Sequence, residues 1–282
     1  MTNRRTKMKI HQLLFYCFFL ISISSCKPDV EKSNTNKSAE TIRGRISCPT
    51  DYSRENYDTS SWKFFLQNLK LLPDKSKILD FTGNPISNQS SHVAIINYDV
   101  GNRDLQQCAD AIIRLRAEYL YEQKAFDKIE FKFTSGHNYK WTDHAKGIRP
   151  QVQGNSVTFQ QTTNADASYS NFRHYLDIVF MYAGTISLNR DLKKIFRNKN
   201  LEIGDIIIKG GSPGHAVLIV DSAHDANGNY LYLLAESYIP AQSIHVLKSS
   251  DSESSPWFKI NKQGAISSER YYFNNPNIRR FY

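Results

Sequence analysis

Cysteine is scarce in this chain: 282 residues contain Cys17, Cys26, Cys48 and Cys108 and no others. A disulfide-built scaffold is therefore excluded, and a chain of this length can bury a core without one. An unbroken run of eighteen apolar residues is also missing, which excludes an ordinary membrane-spanning helix. Phosphate-binding loops and dinucleotide fingerprints are absent, because the one dense glycine cluster, Gly210 to Gly214, lies between two strand-like runs and opens no helix. His137, His144, His174, His215, His224 and His245 show no paired ligand spacing, so the sequence calls for no metal and no cofactor. Repeats and low-complexity blocks are lacking. Basic residues do not interleave with aromatics in stripes, so the formal charge of +9 reads as a solvated face, not a nucleic-acid footprint.

The N-terminus has a character of its own. Arg4, Arg5, Lys7 and Lys9 precede the apolar run Leu13 to Ile21, and Ser24 and Ser25 lead into Cys26. This is the pattern of a signal peptide over residues 1–25. Ile23-Ser24-Ser25-Cys26 resembles a bacterial lipobox, which implies a lipid anchor on Cys26 and an exported, membrane-anchored lipoprotein. Removing residues 1–25 takes away four basic residues and no acidic one, leaving a mild +5. Lys27 stands where an inner-membrane retention aspartate is familiar, which favours the outer membrane. Polar residues 26–44 read as a tether, and residues 45–282 as a single domain.

Within that domain, apolar residues recur at helical spacing over Leu105 to Phe126, and again over Ser168 to Leu188. Asn102 or Asp104 is placed to cap the first of these helices, with Cys108 in its opening turns. A thiol there has two readings. It is a small hydrophobe on the buried stripe, or a nucleophile whose thiolate is favoured by the helix N-terminus. Gln106 and Gln107 just before it are candidate oxyanion donors. A pairing of Cys108 with Cys48 would remove the nucleophile. Tyr139, Trp141, His144 and Arg149 form an aromatic and basic loop set suited to sugar or peptide binding, or to completing a core edge.

Leu201 to Leu247 is the most informative stretch. Ile206 to Lys209 reads as a strand, Gly210-Gly211-Ser212-Pro213-Gly214 as a turn, and His215 to Asp221 as a second strand. Asp225 to Asn229 turns the chain into a third strand, Tyr230 to Glu236, and Ser243 to Leu247 supplies a fourth. If Asp221 opposes Tyr230, His215 opposes Glu236, and opposed residues share a face. A one-residue slip would bring Ser237 to the histidine instead. Cys108, His215 and Glu236 then offer a nucleophile, its base and an orienting acid. Gly211, Ser212 and Gly214 would let a substrate backbone approach closely.

The segment from Leu201-Glu202-Ile203-Gly204-Asp205-Ile206 through Gly214-His215-Ala216-Val217-Leu218-Ile219-Val220 resembles that of CHAP-type and NlpC-like amidohydrolases and peptidases, which are papain-like enzymes. In those families the histidine opening the strand is the base, and the nucleophilic cysteine starts an upstream helix after a glutamine. Gln107-Cys108, His215 and Glu236 occupy the matching positions. The resemblance implies an α+β fold with a papain-like (NlpC-like) core, in which a Cys-bearing helix packs on a small antiparallel sheet. Residues 129–198 are then an insertion. It also implies a thiol-dependent amidase or peptidase acting on cell-wall peptides. The rival reading is a non-catalytic outer-membrane lipoprotein that binds glycan, peptide or a protein partner on the same scaffold. Residues 45–282 further resemble a Bacteroidota lipoprotein family of unknown function, through Asp99-Val100-Gly101, Leu105 to Asp110 and Gly210 to His215. Intact-mass measurement of detergent-extracted protein should find a diacylglyceryl or triacyl adduct on Cys26, and a soluble mature form beginning elsewhere would rule the anchor out.

Overall fold

The computed structural model describes residues 36–196, 200–260, 266–268 and 270–282. The signal peptide and Cys26 lie outside the described residues. Two short helices, α1 (Ile42–Arg45) and α2 (Trp62–Gln67), precede strand β1 (His92–Ile95) and the long helix α3 (Cys108–Glu122). Then come a hairpin of β2 (Glu130–Lys132) and β3 (Asn138–Lys140), the helix α4 (Trp141–Ala145), and a second hairpin of β4 (Ile148–Gln153) and β5 (Ser156–Gln161). Helices α5 (Tyr169–Tyr182) and α6 (Thr185–Asp191) lead into β6 (Lys193–Ile195), β7 (Asp205–Lys209), β8 (His215–His224), β9 (Tyr230–Glu236) and β10 (His245–Leu247). The short pair β11 (Ile266–Ser267) and β12 (Tyr272–Phe273) precedes β13 (Asn277–Arg280).

The main sheet runs β1-β10-β9-β8-β7-β13-β6, every neighbour antiparallel, giving a mixed α+β architecture. Its central strands are buried on both faces, which is why β8 and β9 read as nearly continuous apolar runs and not as alternating ones. Ile206, Ile208, Ala216, Leu218, Leu233 and Ala235 face the cluster that contains α3 and α5. Ile207, Val217, Ile219 and Leu234 face Phe258, Ile266 and Phe273 on the other side. The C-terminal segment thus lies across the domain as a second cover. Among the described residues no helix is long and apolar enough to cross a membrane.

Several sequence expectations are corrected. Ile42 is wholly buried in the main core and Thr41 bridges to Lys70, so the folded part includes residues assigned to the tether. Helix α3 begins at Cys108, later than an Asn102 or Asp104 cap would have it. The second helical stretch, by contrast, breaks at Gly184, where a glycine favours an end or a turn, into α5 and α6. The supposed insertion also ends inside the main sheet, because β6 pairs with β13. Tyr139, Trp141 and His144 are buried together, with His144 between the Tyr139 hydroxyl at 2.8 Å and Asn171 Oδ1 at 2.9 Å. They complete an edge of the main core. Cys48 and Cys108 are both free, so the disulfide alternative falls.

The hairpin register also differs. His224, not Asp221, opposes Tyr230, and a bulge between Ile219 and Asp221 shifts the pairing by one along β8. Beyond the bulge Leu218 opposes Ala235, two residues from the expected register. Beyond the bulge this even offset keeps the side chains on their expected face, since the side-chain period is two. His215 and Glu236 remain on one face, as diagonal neighbours.

Asp221, just past the bulge, is wholly buried and turned towards α2. Its Oδ2 accepts from Arg54 Nε at 2.7 Å and its Oδ1 from Gln67 Nε2 at 2.7 Å. Burial raises its carboxyl, and Arg54 opposes that rise. Arg54→Ala strands a buried carboxylate and should destabilise the fold by about 3 kcal/mol in urea unfolding near neutral pH. The loss should shrink as the pH falls, because a raised carboxyl takes up its proton early. An unchanged unfolding midpoint would contradict this account.

Candidate functional site

Strand β8 begins, β9 ends and β10 begins at one end of the sheet, and the start of α3 is fastened there. Asp104 Oδ1 accepts from the Ala241 amide at 2.7 Å and from Gln107 Nε2 at 3.1 Å. Ser237, just past β9, lies with its hydroxyl 3.0 Å from Gln106 O and 2.8 Å from Gln242 O. Within the helix, Asp110 Oδ2 accepts the Gln107 N–H at 3.1 Å and closes the first turn. These contacts hold the 104–108 segment against the loop that follows β9. They also explain the late start of α3, since the Asp104 carboxylate is used between segments and not as a cap.

Cys108 is the first residue of α3 and only 7% exposed. The two glutamines before it do not stand free beside the thiol. Gln106 is buried, its Oε1 3.3 Å from Arg114 Nη1 and its amide nitrogen 3.4 Å from Asp99 O. The Gln107 amide donates to Asp104. Both side chains named as oxyanion donors are thus engaged by neighbouring residues. The donors that remain at this point are the unpaired backbone N–H groups of a helix N-terminus.

His215 opens β8 and is 2% exposed. Its Nε2 lies 2.8 Å from Glu236 Oε2, and both side chains are buried. With Nε2 engaged, Nδ1 is the nitrogen available to the Cys108 thiol. Burial opposes a charge on the ring, but the neighbouring Cys108 and the Glu236 carboxylate outweigh it, and the imidazole is raised to about 9. Burial would likewise raise Glu236, yet His215 and His245 pull it down to about 2. The combination stabilises an imidazolium between a thiol and a carboxylate at neutral pH.

Aromatic rings enclose His215. Tyr238 meets it edge-on at 5.0 Å, Tyr271 at 4.7 Å, and Phe273 stacks at 5.6 Å. The turn before it, with Ser212 exposed and Gly211 at φ 139°, is backed by α6. A Cβ on Gly214 would meet Thr185 Oγ1 at 2.4 Å, and one on Gly210 would meet Asn189 Nδ2 at 2.8 Å. Packing against α6 thus requires glycine at Gly210 and Gly214. A cavity of 470 Å³ between α3, the β2–β3 hairpin and α6 is lined by Arg116, Lys132 and Asp191, not by Cys108 or His215. Among the described residues no cluster of His, Cys, Asp or Glu is arranged to hold a metal.

Sequence reasoning missed His245. It pairs directly with Glu236 across β9 and β10, and its Nε2 stands 3.7 Å from Glu236 Oε1. The signal was available: His245 lies in the fourth strand-like run, and alternation along a meander places it beside whatever ends β9.

Sheet, helix and side chains together define an antiparallel α+β protein with a thiol, an imidazole and a carboxylate gathered where a helix starts at a sheet end. The chain belongs to the family described as domain of unknown function (4846), whose model matches residues 42–280. That match begins at Ile42, where the folded core begins. No curated protein and no solved structure matches the chain.

If the carboxylate holds the proton on His215, Glu236→Gln should lower the ring's titration midpoint from about 9 towards the ordinary 6.5, as followed by imidazole NMR. The imidazolium would then be lost at a lower pH. A midpoint that stays in place would show that Glu236 does not support the charge.

Proposed function

We propose that Cys108, His215 and Glu236 form the site of a thiol-dependent amidase or peptidase with a papain-like core. The observation that carries this reading is the His215 ring, bound through Nε2 to a buried carboxylate, with the thiol that starts α3 as a neighbour that raises it. A helix N-terminus and an adjacent imidazolium both favour the thiolate, the attacking species. The thiolate forms a C–S bond to the substrate carbonyl carbon, and the oxygen becomes an oxyanion held by backbone N–H groups of the first turn of α3. The C–N bond then breaks, with His215 giving its proton to the leaving amine. Water, losing a proton to His215, attacks the thioester, and the acid leaves as the thiolate reforms. Glu236 keeps the ring oriented throughout and transfers no proton.

Cell-wall peptides are the substrate class that the resemblance to CHAP-type and NlpC-like enzymes supplies. A Cys26-anchored lipoprotein of the outer membrane would meet such peptides. The second reading, a non-catalytic binding lipoprotein on the same scaffold, draws on the enclosure of His215 by Tyr238, Tyr271 and Phe273 and on the slight exposure of Cys108.

Iodoacetamide separates the two. Wild-type Cys108 should alkylate near neutral pH at least about tenfold faster than in His215→Ala, since an ion-paired thiolate is present where a plain thiol is largely protonated. Cys108→Ala should abolish turnover of peptide substrates with little loss of stability. A thiol that is unreactive, or that reacts equally in both proteins, would leave the binding reading in place of the enzyme.

A further inference from the structure

Glu236 has a second imidazole beside it, and the two facing atoms have no hydrogen-bond partner. Glu236 Oε1 and His245 Nε2 are both fully buried and unpaired, 3.7 Å apart. On its other side the His245 ring is fixed: Nδ1 lies 2.9 Å from Ser243 O. A carbonyl oxygen only accepts, so Nδ1 carries a hydrogen. A neutral His245 would then aim the Nε2 lone pair at a carboxylate oxygen inside the protein, where nothing screens the repulsion. A proton on Nε2 turns that contact into attraction and gives the free oxygen of Glu236 a counter-charge.

We infer that His245 is a positioning residue of the site, carried as an imidazolium at neutral pH, which balances Glu236 and limits how tightly the carboxylate holds His215 in its charged form. This rests on the proposed thiol–imidazole pair. The chain of groups then alternates in sign, with thiolate Cys108, imidazolium His215, carboxylate Glu236 and imidazolium His245, and is neutral as a whole. Without the last member the same buried set carries a net negative charge, which is costly in an interior. The second charge also limits the pull on the first ring. Glu236 must serve two imidazoles, so His215 gives up its proton more readily than it would to a carboxylate of its own.

The titratable and charged neighbours are few. Glu236 faces His245 from β9, and His92 meets it edge-on from β1, with ring centroids 6.1 Å apart. His92 is lowered first by burial and then by His245. Arg270, from the segment between β11 and β12, acts further out through His92. His215 itself is faced by Cys108 from α3 and by Tyr238, Tyr271 and Phe273.

The test reads ring nitrogens in the folded, full-length protein. In the wild type at neutral pH, nitrogen NMR should find both nitrogens of His245 protonated. In His245→Gln, which keeps the length and an N–H donor but removes the charge, the titration midpoint of His215 should rise by about one pH unit. That rise should shrink when Glu236→Gln is added, because the coupling runs through the carboxylate. A His245 protonated at Nδ1 alone, or a His215 midpoint that is unmoved or lowered in the folded variant, would overturn the inference. Neither reading needs thiol chemistry, so an unreactive Cys108 would remove the hydrolase proposal and leave the His245 result to stand or fall separately.

Discussion

A carboxylate with no exposure to water must be matched by neighbours, and Glu236 sets that demand for one whole end of this molecule. Its charge is tolerable because His215 lies against one oxygen and His245 near the other. Those two histidines come from strands on either side of β9, so the requirement is met only when β8, β9 and β10 are in register at their shared end. The thiol reaches the same point because Asp104 and Ser237 fasten the start of α3 to the loop leaving β9. Burial of one acid therefore ties together sheet registry, helix placement and the protonation of the ring between them.

Elements whose apolar periodicity is long were legible in the sequence. Helix α3, the α5 stretch and the run from β7 to β10 all appear where their spacing puts them. Which side chains meet was legible only in part. His215 and Glu236 were matched through a register off by two, and the match survived because two is the period of a strand. The bulge left no signal, since Ile219-Val220-Asp221 is ordinary strand sequence. The start of α3 was misplaced because Asp104 looks like a cap, whereas its partner, the Ala241 amide, is remote in sequence. Gln106 and Gln107 turn their amides to near neighbours, Asp99, Asp104 and Arg114, which the helical spacing alone did not reveal.

The region between α3 and β6 is more than a loop excursion. Its aromatic residues Tyr139, Trp141, Phe172 and Tyr175 pack in mutual contact and extend the core that also holds Ile206 and Leu218, and His144 among them is held neutral, lowered to about 4 chiefly by burial and then by Arg149. Tyr175 donates to Tyr139 O at 2.9 Å, linking α5 to β3. The region then hands the chain back to the main sheet through β6. A segment that shares the main core and gives a strand to the main sheet is a structural partner of the site-bearing half, because α6 also backs the glycine turn that launches His215.

The bulge in β8 has a consequence for what that strand can carry. His215 and Asp221 are six positions apart, and in an uninterrupted strand they would project from the same side. The extra residue lets Asp221 turn inwards to Arg54 and Gln67 among the helices, while His215 projects from the opposite side beneath Phe273. One strand thereby serves two separate buried charges with the thickness of the sheet between them. Shortening β8 by a single residue at Val220 would force a choice, since only one of the two could keep its partners.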